Sequence, residues 1–163
     1  MEESYLQNGI ITESGIQIDK SGKWFHRNQE ITNAGILNYF KRNLFRIQNN
    51  YYIHNQFKER NEFSRIQKIS GFPIFATGVI STRSELFVIH LDYGEDITVS
   101  SESFLFFDET TLGILLKEKN FPARLTGTAM SSLMDYLDEN SNGEYTIGDQ
   151  KIVIPGAKLS DYF

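Results

Sequence analysis

The chain has 163 residues and a mass of 18.8 kDa, a length that suits one compact domain or two small subdomains. Hydrophobic residues make up 40% and charged residues 23%, and thirteen Phe, eight Tyr and one Trp supply bulky material for a core, so the composition is globular and not disordered. The absence of cysteine excludes disulfides, thiolate metal sites and cysteine nucleophiles, and a net charge of −5 argues against general affinity for nucleic acid.

The average conceals a polarity. Residues 20–68 carry ten bases against three acids, a net of +7, which leaves −12 for the rest of the chain. Most of that negative charge falls between residues 84 and 149, where thirteen acids face three bases. A layout of this kind creates a field able to orient partners or protomers.

The chain opens on Met1-Glu2-Glu3, with acids where a secretory signal needs bases and then an apolar run. Its longest apolar runs are four residues, such as Phe104-Leu105-Phe106-Phe107, against the roughly 20 that a spanning helix requires. These features predict a cytoplasmic protein without membrane contact.

Residues 1–13 lack periodicity and read as a leader. Ile16-Gln17-Ile18 and Lys23-Trp24-Phe25-His26 read as a hairpin whose turn, Asp19 to Gly22, ends on a glycine. Arg27 to Glu30 reads as a second polar turn. Apolar residues Ile36, Leu37, Phe40, Leu44 and Ile47 recur at helical spacing and predict an amphipathic helix over about 33–48, capped by Thr32 or Asn33. Lys41, Arg42 and Asn43 fall on its outer side. Strands are predicted at Tyr51–Ile53 and Phe63–Ile69. The run Leu86 to Leu91 is the strongest strand signal, and its continuity predicts burial on both faces. Asp92–Asp96 then reads as a turn into Ile97–Val99, followed by short strands near 104–107 and 114–116. Met130, Leu133, Met134 and Leu137 form one stripe of a second helix over about 127–139, with Thr126 or Thr128 as its cap. Tyr145–Ile147 and Lys151–Ile154 read as a hairpin turning at Gly148-Asp149.

Strands and helices do not alternate strictly, so the fold class predicted is α+β, with mainly antiparallel sheets and two principal amphipathic helices in two small subdomains. The divisions expected are a leader at 1–13, a basic N-terminal α+β subdomain at 14–80 and an acidic, β-rich C-terminal subdomain at 81–163.

The chain holds no Gly-x-Gly-x-x-Gly, no Walker loop and no Gly-x-Ser-x-Gly elbow. His26, His54 and His90 lie too far apart in sequence for the paired-ligand spacing of a metal site. Asp138, Asn140, Asn142 and Asp149 match the register of a calcium loop, with Gly143 at the sharp turn. Asp in place of the closing Glu weakens that match, and a strand follows where a helix should leave. Adjacent carboxylates such as Asp92, Glu95 and Asp96 read as solvated turns. Between Lys41 and Lys68, bases interleave with Phe45, Tyr51, Tyr52, Phe57 and Phe63, a pattern compatible with single-strand stacking or with a basic face for an acidic protein.

Asp19 to His26, then Ile31, Leu37, Phe40, Leu44 and Tyr52, form a glycine–tryptophan hairpin, a polar turn, an amphipathic helix and a tyrosine-bearing strand. Ile66 to Ile74, with its Pro73, and Leu91 to Asp96 continue the pattern. Over about residues 14–100 the chain resembles a bacterial family catalogued as domain of unknown function 1285. That resemblance implies a small bacterial α+β protein with no established reaction and no catalytic residue to transfer.

Taken together these features predict a non-enzymatic module that binds a protein or a small-molecule ligand, or serves regulation, and that needs no cofactor. Its expected contact residues are Lys41, Arg42, Arg46, Arg60 and Arg65, with Trp24 and Tyr51 as rim aromatics. The alternative is a calcium-binding protein using Asp138–Asp149. Third come nucleic-acid binding, which the net charge disfavours, and a hydrolase built around His90 with Asp92 or Glu95. A homodimer through opposite charged faces is compatible with the charge split.

Overall fold

The computed structural model describes residues 6, 7, 9–83, 86–139, 145–147 and 150–163. The chain divides into two compact units. The first comprises residues 1–73, 116–121 and 162–163, and the second residues 74–115 and 122–161. By sequence the first holds twelve bases and eight acids, a net of +4, and the second four bases and thirteen acids, a net of −9.

In the first unit the elements are β1 (Gly9–Glu13), β2 (Ile16–Ile18), β3 (Trp24–His26), β4 (Gln29–Glu30), α1 (Ala34–Asn43), β5 (Leu44–Ile47), β6 (Asn50–Phe57), β7 (Arg60–Arg65) and β8 (Lys68–Ile69). They form two four-stranded sheets, in the orders β1-β7-β6-β5 and β4-β3-β2-β8. Gly9–Glu13, aperiodic as sequence, becomes a strand because it lies parallel to β7, from Gly9 beside Asn61 to Glu13 beside Arg65.

The β2–β3 hairpin forms as expected, with Ile18 opposite Trp24. The Asp19 carboxylate accepts from the Ser21 and Lys23 amides and the Ser21 hydroxyl, and Gly22 sits at φ +83°, where a side chain would be strained. The Ser21 bonds, above all, hold that carboxyl below its ordinary pKa. Asn33 caps α1 by accepting from the Ile36 amide.

The predicted helix over 33–48 ends at Asn43. Residues 44–47 leave it because Leu44 and Ile47 are worth more as buried strand positions, paired with Ile53 and Asn50 of β6. A two-residue turn follows, in which Gln48 takes φ +53°.

In the second unit β9 (Phe75–Arg83), β10 (Leu86–Leu91), β11 (Asp96–Ser100), β12 (Phe104–Asp108), β13 (Thr111–Leu116) and β14 (Phe121–Leu125) form one sheet in the order β11-β10-β9-β14-β13-β12. The expected turn at Asp92–Asp96 joins β10 to β11, with Ile89 opposite Ile97. Burial along β10 alternates: Phe87, Ile89 and Leu91 are buried, whereas Leu86 is exposed and Val88 and His90 are half-buried. The prediction of burial on both faces is therefore corrected. Antiparallel neighbours leave one face of this strand partly open, so the apolar run does not mark a doubly covered strand.

Helix α2 (Gly127–Met134) is capped by Thr126, and it buries Ala129 and Leu133. It stops short of the predicted 139 because β15 (Asp138–Glu139) pairs with β16 (Tyr145–Ile147), which pairs in turn with β17 (Gln150–Ile152). The result is an α+β fold of largely antiparallel sheets, with parallel pairing at β1–β7, β2–β8 and β9–β14 among the described residues. Among the described residues no helix is long and apolar enough to cross a membrane.

Candidate functional site: a basic and aromatic corner

The C-terminal end of α1 gathers cations. Lys41 and Arg42 occupy its last turn, where they complement the negative end of the helix dipole. The turn between β13 and β14 brings a third, and it is tight because Asn120, at φ +60°, donates its amide to the Leu116 carbonyl over 2.8 Å. From this turn the Lys119 ammonium donates to the Lys41, Arg42 and Leu44 carbonyls over 3.1, 2.6 and 3.3 Å. These carbonyls lie at the end of α1, where a helix runs short of backbone donors, although the Lys41 carbonyl also accepts from the Leu44 amide. The same turn continues the β5 edge, with the Arg46 amide donating to the Lys119 carbonyl over 2.8 Å.

Arg46 is fixed by aromatics. Its guanidinium carbon lies 5.9 Å from the Tyr51 ring centre and 5.4 Å from that of Tyr162. The Tyr51 hydroxyl donates to the Tyr162 carbonyl over 2.5 Å. Phe121 and Phe163 pack on the Tyr51 ring at 5.4 and 6.1 Å between centres. Burial pushes the Tyr51 phenol well above its ordinary pKa, against the opposing pull of Arg46. A flat guanidinium held against two rings keeps its orientation while presenting charge.

Lys119 acts here as a cap on α1. Lys119→Ala should lower stability by roughly 1–2 kcal/mol, since it removes a charged donor shared among three carbonyls in a partly exposed place. Urea unfolding checks this, and an unchanged midpoint would contradict the capping role.

The expected contact residues do not all meet. Lys119 joins the Lys41 and Arg42 backbone to that of Arg46, and the Arg46 guanidinium meets Tyr51, whereas Arg60 stands opposite Phe57 at the far end of β6. Six residues of strand separate the Arg46–Tyr51 row from the Phe57–Arg60 row, roughly 20 Å. Arg65 is engaged by Glu13 at 2.5 Å. Trp24 is 2% exposed, stacks on Phe40 and donates its indole N–H to the Pro73 carbonyl, so it is a core residue and no rim. Tyr51 is likewise buried, and it supports the corner from beneath through Arg46, Tyr162 and Phe163. Lys119, Tyr162 and Phe163 were not legible as members, being more than 70 residues from Arg46 in sequence.

Elsewhere, His90 pairs through Nδ1 with Asp96, its direct partner across β10 and β11, and not with Asp92 or Glu95. The pair is 40% and 59% exposed, so the carboxylate lacks the apolar enclosure that tunes an acid–base group. Asp138 lies in β15 opposite Thr146, a strand position where a calcium loop needs the end of a helix. Asn140, Asn142 and Asp149 lie outside the described residues. Among the described residues no three His, Asp or Glu side chains converge as a cation site.

No family model matches the chain, and no curated protein does. Two solved structures share its architecture. One is a domain of unknown function 1285 (DUF1285) family protein from Silicibacter pomeroyi DSS-3, with a TM-score of 0.68, 14% identity, 98% of this chain covered and 88% of that one. The chain has the DUF1285 fold. A second DUF1285 family protein, from Shewanella baltica OS155, gives a TM-score of 0.58 at 12% identity, covering 74% of this chain and 90% of its own. The agreement bears out the resemblance read from the Trp24 hairpin and α1, and at such identities it is an agreement of fold. Within the DUF1285 fold, the basic and aromatic corner is built from this chain's own side chains.

Proposed function

We propose that this is a bacterial, cytoplasmic, non-enzymatic binding module, and that the corner formed by Lys41, Arg42, Arg46 and Lys119 receives an acidic protein segment. One observation carries the reading: Lys119, from the β13–β14 turn, joins the backbones of three further cationic residues, Lys41 and Arg42 at the end of α1 and Arg46 in β5, and Arg46 is braced by Tyr51 and Tyr162. Lys119 stabilises the end of α1, but the further like charges of Lys41, Arg42 and Arg46 on the segments it joins repel one another, and a ligand of opposite charge relieves that repulsion.

A fluorescent peptide rich in glutamate should bind the protein, with affinity falling as salt rises. The double variant Lys41→Glu, Arg42→Glu should bind it at least about tenfold more weakly. Each contact between unit charges near 4 Å in water is worth about 1 kcal/mol, and reversal turns attraction into repulsion. Arg60→Glu, at the other end of β6, should leave binding near the original value. No binding by the natural protein, or equal binding by the double variant, would overturn the reading.

A further inference from the structure

We propose that β1 pairs antiparallel with β1 of a second copy, joining two four-stranded sheets across a twofold axis. β1 is an end strand, hydrogen-bonded to β7 on one side. An end strand turns backbone donors and acceptors outward and invites another strand unless something blocks it. Other edges among the described residues are covered, polar or only two or three residues long. The Lys119 carbonyl covers β5 at Arg46, and residues 155–157 cover β12 through the Phe106 amide and carbonyl, at 2.9 and 2.7 Å. β11 exposes Asp96 and Thr98, polar side chains that discourage pairing. The ends of the second sheet of the first unit, β4 and β8, are two residues long.

β1 carries its polar residues, Thr12 and Glu13, at one end only, and its centre is apolar. Its sequence, Gly-Ile-Ile-Thr-Glu, contains no Lys, Arg or Pro, no bulge interrupts it, and among the described residues a neighbouring turn engages only its first residue, where the Gly9 amide donates to the Leu6 carbonyl over 3.2 Å. Ile10 and Ile11 are 55% and 49% exposed, although successive residues of a strand point to opposite faces. Both faces of this edge therefore carry open apolar surface, which a neighbouring strand would cover on both sides at once.

The strand suits its own copy. Antiparallel pairing centred on Ile11 sets Ile10 opposite the second Thr12, both β-branched, and Gly9 opposite the second Glu13. Glu13 is the one charge in the strand, and it already holds Arg65 at 2.5 Å. It would face a residue with no side chain, so no like charges meet across the pair. Such a pairing is isologous and closes at two copies. It would also leave the basic corner open, because Arg46 lies on β5, the opposite edge of the sheet.

Sedimentation velocity tests the pairing. The natural protein should sediment as a dimer at tens of micromolar, and Ile11→Lys should sediment as a monomer with an unchanged circular dichroism spectrum. Because the chain has no cysteine, a single introduced thiol can bond only to another molecule. Under mild oxidation Ile11→Cys should convert to a disulfide dimer at least about tenfold faster than Phe57→Cys, since directly opposed Cβ atoms lie about 4.5–5.5 Å apart. Phe57 is 61% exposed and makes a fair control. A monomer throughout the concentration range, a dimer that survives Ile11→Lys, or equal oxidation at both positions would overturn the proposal.

Discussion

Trp24→Ala is expected to cost about 3–5 kcal/mol, enough to unfold much of a domain whose total stability is about 5–15 kcal/mol. The indole is 2% exposed, its ring stacks on Phe40 at 6.1 Å between centres, and its N–H reaches the Pro73 carbonyl over 3.3 Å. Deleting it opens a large cavity beneath α1 and leaves that carbonyl without its donor. The effect should be severe because α1 itself buries no residue fully. Its hold on the sheet depends on partly covered side chains such as Phe40, and Phe40 loses its stacking partner. Trp24→Phe separates the two contributions, keeping most of the volume but removing the indole donor, and should cost roughly 1–2 kcal/mol. Denaturant unfolding measures both. A loss below about 1 kcal/mol for the alanine variant would contradict the core assignment.

The misreading of Trp24 as a rim aromatic shows where sequence stopped being informative. The β2–β3 hairpin was legible because Asp19, Ser21 and Gly22 specify the turn within seven residues. Local chemistry of that sort needs no knowledge of the rest of the chain. Which face of the hairpin meets the core is a tertiary matter, decided by Pro73, 49 residues away. The same limit explains the helix predicted to run past Asn43. Leu44 and Ile47, three residues apart, fit a helical stripe and not an alternating strand; both are buried in β5 all the same, because pairing with β6 overrode the local pattern. In the second unit, Asp138 ended up in a strand for the like reason, since Thr146 offered a partner.

The candidate site was half legible. A run of bases with interleaved aromatics pointed to Lys41, Arg42, Arg46 and Tyr51. Composition could not divide them from Arg60 and Arg65, because strand direction, which separates Arg46 from Arg60 by the length of β6, is invisible in a count of charges. Nor could it supply Lys119 and Tyr162, whose contacts span 77 and 111 residues. The +7 of residues 20–68 falls to +4 in the first unit because the four acids of residues 1–19 outweigh the net +1 of the turn at 116–121.

Tyr51 should be the corner's most sensitive position. Tyr51→Ala is expected to cost about 3–5 kcal/mol, since the ring contacts Phe121 and Phe163 and supports Arg46. Tyr51→Phe keeps the ring and removes the bond to the Tyr162 carbonyl, at a cost of about 1 kcal/mol near neutral pH. The two proteins should then converge in alkali. Burial raises the folded phenol above the value of about 10 that it has in the unfolded chain. From about pH 10 upward the unfolded chain therefore releases this proton while the folded protein keeps it, and unfolding gains from the release. The contribution is complete below pH 10 and falls by up to about 1.4 kcal/mol per pH unit above it. Other tyrosines titrate in both proteins and cancel in the comparison. Urea unfolding at pH 8 and pH 11 should show the natural protein losing about 1 kcal/mol more than Tyr51→Phe across that interval. Equal losses would mean that the phenol ionises as readily in the folded chain as in water, which its packing against Phe121 and Phe163 does not allow.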